Sequence, residues 1–112
     1  MKQRILVLNG QRLVQSEHAG QWSTDKVEKA ANVKPGIYPI YLATAADKGK
    51  AHNGQIIHID NVNVYQQIGK NLIFHDRDNF EKLPEVGMDA SLRYSDDKCA
   101  VAPSSIKRGR KI

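Results

Sequence analysis

The sequence predicts a mainly β fold, and three observations support this class. Short apolar runs rich in Ile, Val and Leu are separated by turn residues over most of the chain. The segment 54–94 alternates such runs with tight turns and carries most of the unusual polar residues. Helical composition is confined to one short stretch, residues 23–31. We therefore expect a β-rich domain with one short helix, at the margin of the α+β class.

The first element is a predicted β-hairpin over residues 4–16. Residues 5–8 are apolar, and Asn9-Gly10 is the preferred pair for a type I′ turn, because both central residues need a positive φ. Residues 11–15 then return beside the first strand.

Residues 23–31 form the predicted helix. Ser23 can cap its N-terminus, and the Asp25 carboxylate suits the positive end of the helix dipole. Trp22 can pack against Val27 as a hydrophobic staple. A Lys-Pro-Gly sequence ends the segment. Because a helix of about two turns is marginal in isolation, it must dock on another element.

Further strands follow the helix. Residues 37–43 predict an edge strand, because Pro39 cannot donate a ladder hydrogen bond. An exposed loop is expected at 44–53 and a loop with one short helical turn at 78–87. The remaining strands are predicted at 55–59, 61–68, 72–75, 90–94 and 99–101.

Alternation assigns the faces of these strands. In the strand 61–68, the aliphatic positions Val62, Val64 and Ile68 are predicted to face inward. Tyr65 and Gln67 are then predicted to face outward, in a polar set that is completed by Gln66, His75, Asp76 and Arg77. Short strands with tight turns fit a small SH3-like or OB-like barrel or a strongly twisted antiparallel sheet. The alternative is an α+β sheet with the helix across one face.

Composition limits the classes of function. The chain has 112 residues, 40% hydrophobic and 26% charged, which fits one soluble domain over 1–103 and a flexible basic tail over 104–112. The net charge of +5 favours nucleic acid, anionic lipid or an acidic partner, or serves only solubility. A single cysteine, Cys99, excludes an internal disulfide and is expected in the core. No apolar run is long enough for a signal peptide or a membrane span, so we expect a cytoplasmic protein.

Candidate metal ligands and nucleophiles are few. His58 and Asp60 share a strand face, and with His75 they are competent ligands for zinc or iron, but their spacing matches no established metal signature. Cys99 and the serines are the available nucleophiles, and the sequence has no GxSxG motif that would activate a serine. It also has no phosphate-binding loop and no GxGxxG motif. We therefore expect no enzymatic activity, no metal and no cofactor.

Basic residues suggest a nucleic-acid interface. A tail of cations can neutralise phosphates without reading sequence, and Tyr65 with its amide neighbours can stack on a base. A solubilising tail and an ordinary polar strand edge are the competing interpretations. The tail cations are Lys107, Arg108, Arg110 and Lys111, and a positive strip could extend to Lys70, Arg77 and Arg93.

A set of strings resembles the KfrB family. V-Y-Q-Q-I-G-K at 64–70 is the most specific of them. The others are R-I-L-V-L-N-G-Q-R at 4–12, K-P-G-I-Y at 34–38, A-A-D-K at 45–48, G-x-I-x-H-x-D at 54–60, H-D-R at 75–77, Phe80, P-E-V-G at 84–87 and L-R-Y at 92–94.

The resemblance implies an accessory protein of a conjugative plasmid that acts in plasmid stability and maintenance. It implies a link to KfrA, a coiled-coil DNA-binding protein, and to KfrC, and it assigns no catalytic residue. A plasmid-encoded, KfrA-like protein is therefore the expected partner. Direct nucleic-acid binding and, third, a metal-dependent enzyme remain alternatives. The positions that the resemblance marks for partner binding are Tyr65, Gln66, Gln67, Gly69, His75 and Arg77.

Overall fold

The computed structural model describes residues 2–96 and 98–103, and these residues form strands and two short 3-10 turns. The turns span Ile40–Leu42 and Arg77–Asn79. The strands are β1 (Lys2–Leu8), β2 (Gln11–His18), β3 (Gln21–Lys29), β4 (Gly36–Tyr38), β5 (Thr44–Ala45), β6 (His52–Ile59), β7 (Asn63–Ile68), β8 (Asn71–Asp76), β9 (Asp89–Ser95) and β10 (Lys98–Pro103). The mainly β prediction is confirmed.

Two sheets make up the described part of the chain. The N-terminal sheet has the strand order β3-β2-β1-β4, and the C-terminal sheet has the order β10-β9-β6-β7-β8-β5. Their pairings are antiparallel except for β5, which runs parallel to β8. Neither sheet closes into a barrel within the described residues, so the open-sheet alternative describes the fold.

The first hairpin is confirmed in register and turn type. Leu8 pairs with Gln11 across the turn, and Asn9 and Gly10 have φ values of 51° and 75°. Both φ values are positive, as a type I′ turn requires.

The helix predicted over 23–31 is wrong, because residues 23–29 belong to the strand β3. Ala19 and Gly20 have φ values of 53° and 80° and form a second tight turn, which returns the chain along β2. Asp25 accepts a hydrogen bond from the buried Ser16 hydroxyl of β2. Asp25 therefore lies on a strand next to β2 and not in the first turn of a helix. Pairing along a full strand outweighs the local helical preference of a short segment.

The predicted edge strand 37–43 is shorter than expected. β4 ends at Tyr38, and a 3-10 turn follows Pro39, which has no N–H for the ladder. The edge position is confirmed, since β4 is the last strand of its sheet. The expected loop 44–53 contains the two residues of β5 and the start of β6, whereas the helical turn expected within 78–87 is the 3-10 turn that begins at Arg77.

The core consists of two clusters on opposite faces of the C-terminal sheet. The inner cluster lies between the two sheets, and the outer cluster lies under the segment 77–88. Buried members of the inner cluster are Ile5, Val7, Val14, Ala30, Val33, Tyr38, Ile40, Ile57 and Tyr65. Those of the outer cluster are Ile56, Val64, Phe80, Ala90, Leu92 and Cys99, which confirms the buried position predicted for the cysteine.

The segment 77–88 is fixed to the sheet by backbone hydrogen bonds. Gly87 N–H donates to the Ile56 carbonyl at 2.7 Å, and Ile56 N–H donates to the Met88 carbonyl at 2.9 Å. The C-terminal sheet therefore has both faces covered, whereas the N-terminal sheet contributes one face to the core.

Gly54 is required by a close backbone approach at the centre of the C-terminal sheet. A Cβ at this position would lie 2.0 Å from the carbonyl oxygen of Gln67 on β7. No rotamer relieves a contact with backbone, so any side chain at this position would displace β6 from β7.

Candidate functional site

The residues predicted to bind a partner do not share one surface. Gln66 and His75 are buried on the outer-cluster side of the C-terminal sheet, with 0% and 1% exposure. Tyr65 is buried on the opposite side, in the inner cluster. Because both faces of this sheet are covered, alternation along β7 gives it no outward face. The single polar face predicted from the sequence is therefore wrong, and partner binding by these residues remains a prediction.

The Gln66 side chain joins three strands in the interior. Its Nε2 donates to the backbone carbonyls of His52, Gly54 and Ala90, at 3.2, 3.1 and 3.1 Å. The first two carbonyls belong to β6 and the third to β9. A buried amide with these partners holds the central strands at one spacing.

The Gln66 contacts fix the tautomer of His75. Carbonyl oxygens only accept, so the Gln66 amide nitrogen faces them and its Oε1 is left as an acceptor. His75 Nε2 lies 3.0 Å from this oxygen and therefore carries the proton. His75 Nδ1 is then an acceptor, and the Tyr94 hydroxyl donates to it at 2.6 Å. We call Gln66, His75 and Tyr94 the interior triad.

Burial keeps the interior triad uncharged. Burial, with a contribution from His52, lowers the pKa of His75 to about 4. Burial also raises the pKa of Tyr94, and it raises that of the neighbouring Cys99 to about 11. At neutral pH the imidazole, the phenol and the thiol are all neutral, and a protonated thiol is a weak nucleophile. The triad is thus equipped to hold strands together.

A second set of polar side chains, centred on Tyr65 and His58, lies between the two sheets. The Tyr65 and His58 rings are stacked at a centroid distance of 6.1 Å, and the Asn63 amide donates to the Tyr65 hydroxyl at 3.3 Å. Burial first, and then the Arg12 guanidinium, lower the pKa of His58 to about 4. Arg12 donates to the Glu28 carboxylate at 2.8 Å, which lowers the pKa of Glu28.

The structure separates the residues considered for a metal site. His58 stacks on Tyr65 on the inner side of the C-terminal sheet, whereas His75 lies on the outer-cluster side. One oxygen of the Asp60 carboxylate accepts the backbone N–H groups of Val62 and Asn63, at 2.8 and 2.7 Å. Within residues 2–96 and 98–103, no three His, Cys, Asp or Glu side chains are grouped to hold a metal ion.

Arg77 anchors the connection between β6 and β7. Its Nη1 donates to the Asp60 carbonyl at 2.7 Å, and its backbone N–H donates to the Val62 carbonyl at 2.9 Å. Lys70 and Arg93 line two different grooves, and Arg93 shares its groove with Lys48 and Lys50. A continuous positive strip through Lys70, Arg77 and Arg93 remains a prediction. The four tail cations at 107–111 lie outside the described residues.

A groove remains where β4 and the β7–β8 turn approach each other. We call it the edge groove; its volume is about 540 Å³. Ile37 and Leu42 line it and are 60% and 63% exposed, which is high for aliphatic side chains. Gln67 also lines the groove, and the exposed residue Gly69 directly precedes the lining residue Lys70 in the sequence. The other lining residues are Gly36, Tyr38, Pro39, Thr44, Lys70, Asn71, Leu72 and Ile73.

Sequence reasoning missed Ile37 and Leu42 as surface residues, because it placed both in one edge strand. Pro39 was the available signal, since it ends β4 and turns Leu42 out of the sheet. A larger groove, of about 580 Å³, lies between residues 81–88 and β10. Its wall includes Val101, close to Pro103, where the described part of the chain ends, and we assign it no function.

Comparison with known proteins connects this architecture to a family. Residues 51–103 match the KfrB domain. The matched segment contains β6 to β10 and the interior triad, and it confirms the resemblance inferred from the strings. The match begins at Ala51, so the strings at 4–12, 34–38 and 45–48 lie outside it.

The chain also resembles a curated protein. It is 38% identical over 95 residues to Protein TraB of Escherichia coli, which covers 82% of this chain and 65% of TraB. The chain thus spans slightly less than two thirds of that relative. Together the two matches support a plasmid-related protein. Among the described residues, no helix has the length and apolar character to cross a bilayer.

Proposed function

We propose that this chain is a non-enzymatic accessory protein of a conjugative plasmid, which acts in plasmid maintenance by binding another plasmid-encoded protein. The KfrB domain supports the plasmid context. The edge groove is the observation that carries the proposal of a protein partner. It combines exposed aliphatic side chains with Gln67, a residue of the family's most specific string.

The chemistry of the edge groove indicates what it would accept. Ile37 and Leu42 offer an apolar contact, and exposed apolar groups that cluster beside a concave surface are typical of interaction sites. Lys70 adds a positive charge to the lining. An amphipathic helix with apolar residues on one stripe and a nearby carboxylate would satisfy both features. A coiled-coil protein of the KfrA type presents such helices, and we propose it as the partner.

Titration of the full chain with the purified KfrA-type protein of the same plasmid tests the proposal. We expect saturable binding that Ile37→Glu and Leu42→Glu each weaken about tenfold or more, because a buried charge in an apolar contact is costly. Val62→Glu is the matched control, since Val62 is 64% exposed and lies outside the groove. No binding, or equal loss in all three variants, would contradict the proposal.

A further inference from the structure

The N-terminal sheet has a face that does not contribute to the core. In β1, Ile5 and Val7 point into the inner cluster, so the alternate residues point away from it. The register with β2, β3 and β4 extends this outer face across the sheet. It carries a row formed by Val27, Leu13, Leu6 and Ile37, and further residues Lys2, Arg4, Leu8, Gln11, Gln15, Glu17, Trp22, Thr24 and Lys29.

Exposed apolar groups accumulate on this outer face. Val27 is 53% exposed, Ile37 60% and Leu8 38%. Tyr41, which belongs to the first 3-10 turn and not to the sheet, packs on this face beside Trp22. The centroids of the two rings are 6.2 Å apart.

Two aromatic rings and two cations meet at this end of the face. The Arg4 guanidinium lies 4.1 Å from the centroid of the Trp22 ring, and the Lys2 ammonium lies 5.4 Å from that of Tyr41. Arg4 Nε donates to Gln15 Oε1 at 2.8 Å, which holds the guanidinium over the indole. Both rings are partly exposed, and Tyr41 is 42% exposed.

The charge of the outer face is positive. It carries three cations, Lys2, Arg4 and Lys29, against the single carboxylate of Glu17, which gives a formal charge of +2. An anionic ligand is therefore favoured over a neutral or basic one.

We infer that the outer face of the N-terminal sheet binds single-stranded nucleic acid, with bases on Trp22 and Tyr41 and phosphates on Lys2 and Arg4. Neighbouring aromatic rings on a positively charged sheet surface provide stacking and charge neutralisation together. An acidic protein would satisfy the charges but would not require two adjacent exposed rings. The site uses no residue of the edge groove except Ile37 at its margin, and none of the tail.

The test is a titration of the full chain with labelled oligothymidylate, oligouridylate and a duplex of the same length, at low and moderate salt. Trp22 is the only tryptophan, so its fluorescence reports directly on the proposed site. We expect both single strands to bind and to quench Trp22, and the duplex, whose bases are already stacked, to bind more weakly. A preference between the two single strands would identify the natural ligand as DNA or RNA.

Variants locate the binding. Tyr41→Leu is expected to weaken binding about fivefold or more, the effect of losing one stacked base. Lys2→Gln combined with Arg4→Gln should reduce the slope of log affinity against log salt by about 1.4, for two phosphates at about 0.7 each. Lys82→Gln removes an exposed charge that lies outside both the outer face and the edge groove. It should leave affinity for the oligonucleotides within about twofold, because salt screens a single distant charge.

Three results would overturn the inference. They are absence of binding at low salt, equal affinity for duplex and single strand with unchanged Trp22 fluorescence, and affinity that the Tyr41 and Lys2/Arg4 variants leave unaltered. A negative result in the oligonucleotide titration would not contradict the proposed protein partner. The test of that partner uses a protein ligand and the Leu42 variant, and Leu42 is not on the outer face.

Discussion

The N-terminal sheet has one covered face and one exposed face, whereas the C-terminal sheet is covered on both faces. The outer face of the first sheet carries partly exposed polar and aromatic groups, such as Arg4 and Trp22, which a ligand could contact. The family residues Gln66 and His75 of the second sheet are buried, and their polar atoms bond to other protein groups. The comparison teaches that residues which identify this domain need not be the residues that bind its partner.

The largest effect is expected from filling the close approach at Gly54. Gly54→Ala should lower the free energy of unfolding by about 3 kcal/mol or more, because its Cβ would lie 2.0 Å from a backbone oxygen. Urea unfolding measures this. Gly10→Ala is a useful comparison, since nothing lies within 4 Å of its Cβ and the cost there is one of conformation alone. Equal, small losses in both variants would refute the close packing of β6 on β7.

Removing the amide of the interior triad should have the next largest effect. Gln66→Leu removes the hydrogen bonds to three backbone carbonyls and leaves the His75 Nε2–H without its acceptor, which costs about 2–3 kcal/mol. Gln67→Leu, at the half-buried neighbouring position, should change the free energy of unfolding by less than about 0.5 kcal/mol. If the two variants unfold at the same urea concentration, the interior triad does not hold the strands together.

Stability should also depend on pH through two of the buried histidines, His58 and His75. Their pKa values in the folded chain are lowered from 6.5 to about 4, so the unfolded chain binds more protons between these values. The free energy of unfolding is therefore complete above pH 6.5 and falls as the pH decreases towards about 4. Each histidine should account for about 3 kcal/mol of this fall, since a shift of one pKa unit corresponds to about 1.4 kcal/mol.

Replacement of one histidine separates the contributions. In His75→Gln the decrease in free energy of unfolding between pH 7 and pH 4 should be about half that of the unmodified chain. His18→Gln, a substitution at an exposed histidine, provides the control for the loss of an imidazole. A full decrease in His75→Gln would show that His75 does not cause the pH dependence.

Local chemistry made some elements predictable. Asn9-Gly10 specifies its turn because the two residues tolerate positive φ, and the hairpin follows from it. The second turn was missed because Ala19 is an uncommon residue in the left-handed region. Without that turn, Ser23 and Asp25 suggested a helix start. Their strand geometry depends on pairing with β2, which short-range signals do not encode.

The candidate site was predictable in residue type but not in placement. The sequence indicated that Gln66 and His75 were unusual, and they form one network. Their burial depends on the segment 77–88, which folds back over the sheet through contacts with residues distant in the chain. The groove residues Ile37 and Leu42 were not singled out because both were placed in one edge strand, whereas β4 ends at Tyr38 and Leu42 lies in the following 3-10 turn.

One measurement tests the central claim, that the interior triad holds the domain together while binding occurs at exposed surfaces. It is the paired determination of urea stability and affinity for the KfrA-type protein in Gln66→Leu and Leu42→Glu. We predict that Gln66→Leu loses about 2–3 kcal/mol of stability yet binds normally where it remains folded. Leu42→Glu should keep its stability and lose binding. Lost binding in folded Gln66→Leu, with normal binding in Leu42→Glu, would contradict the claim.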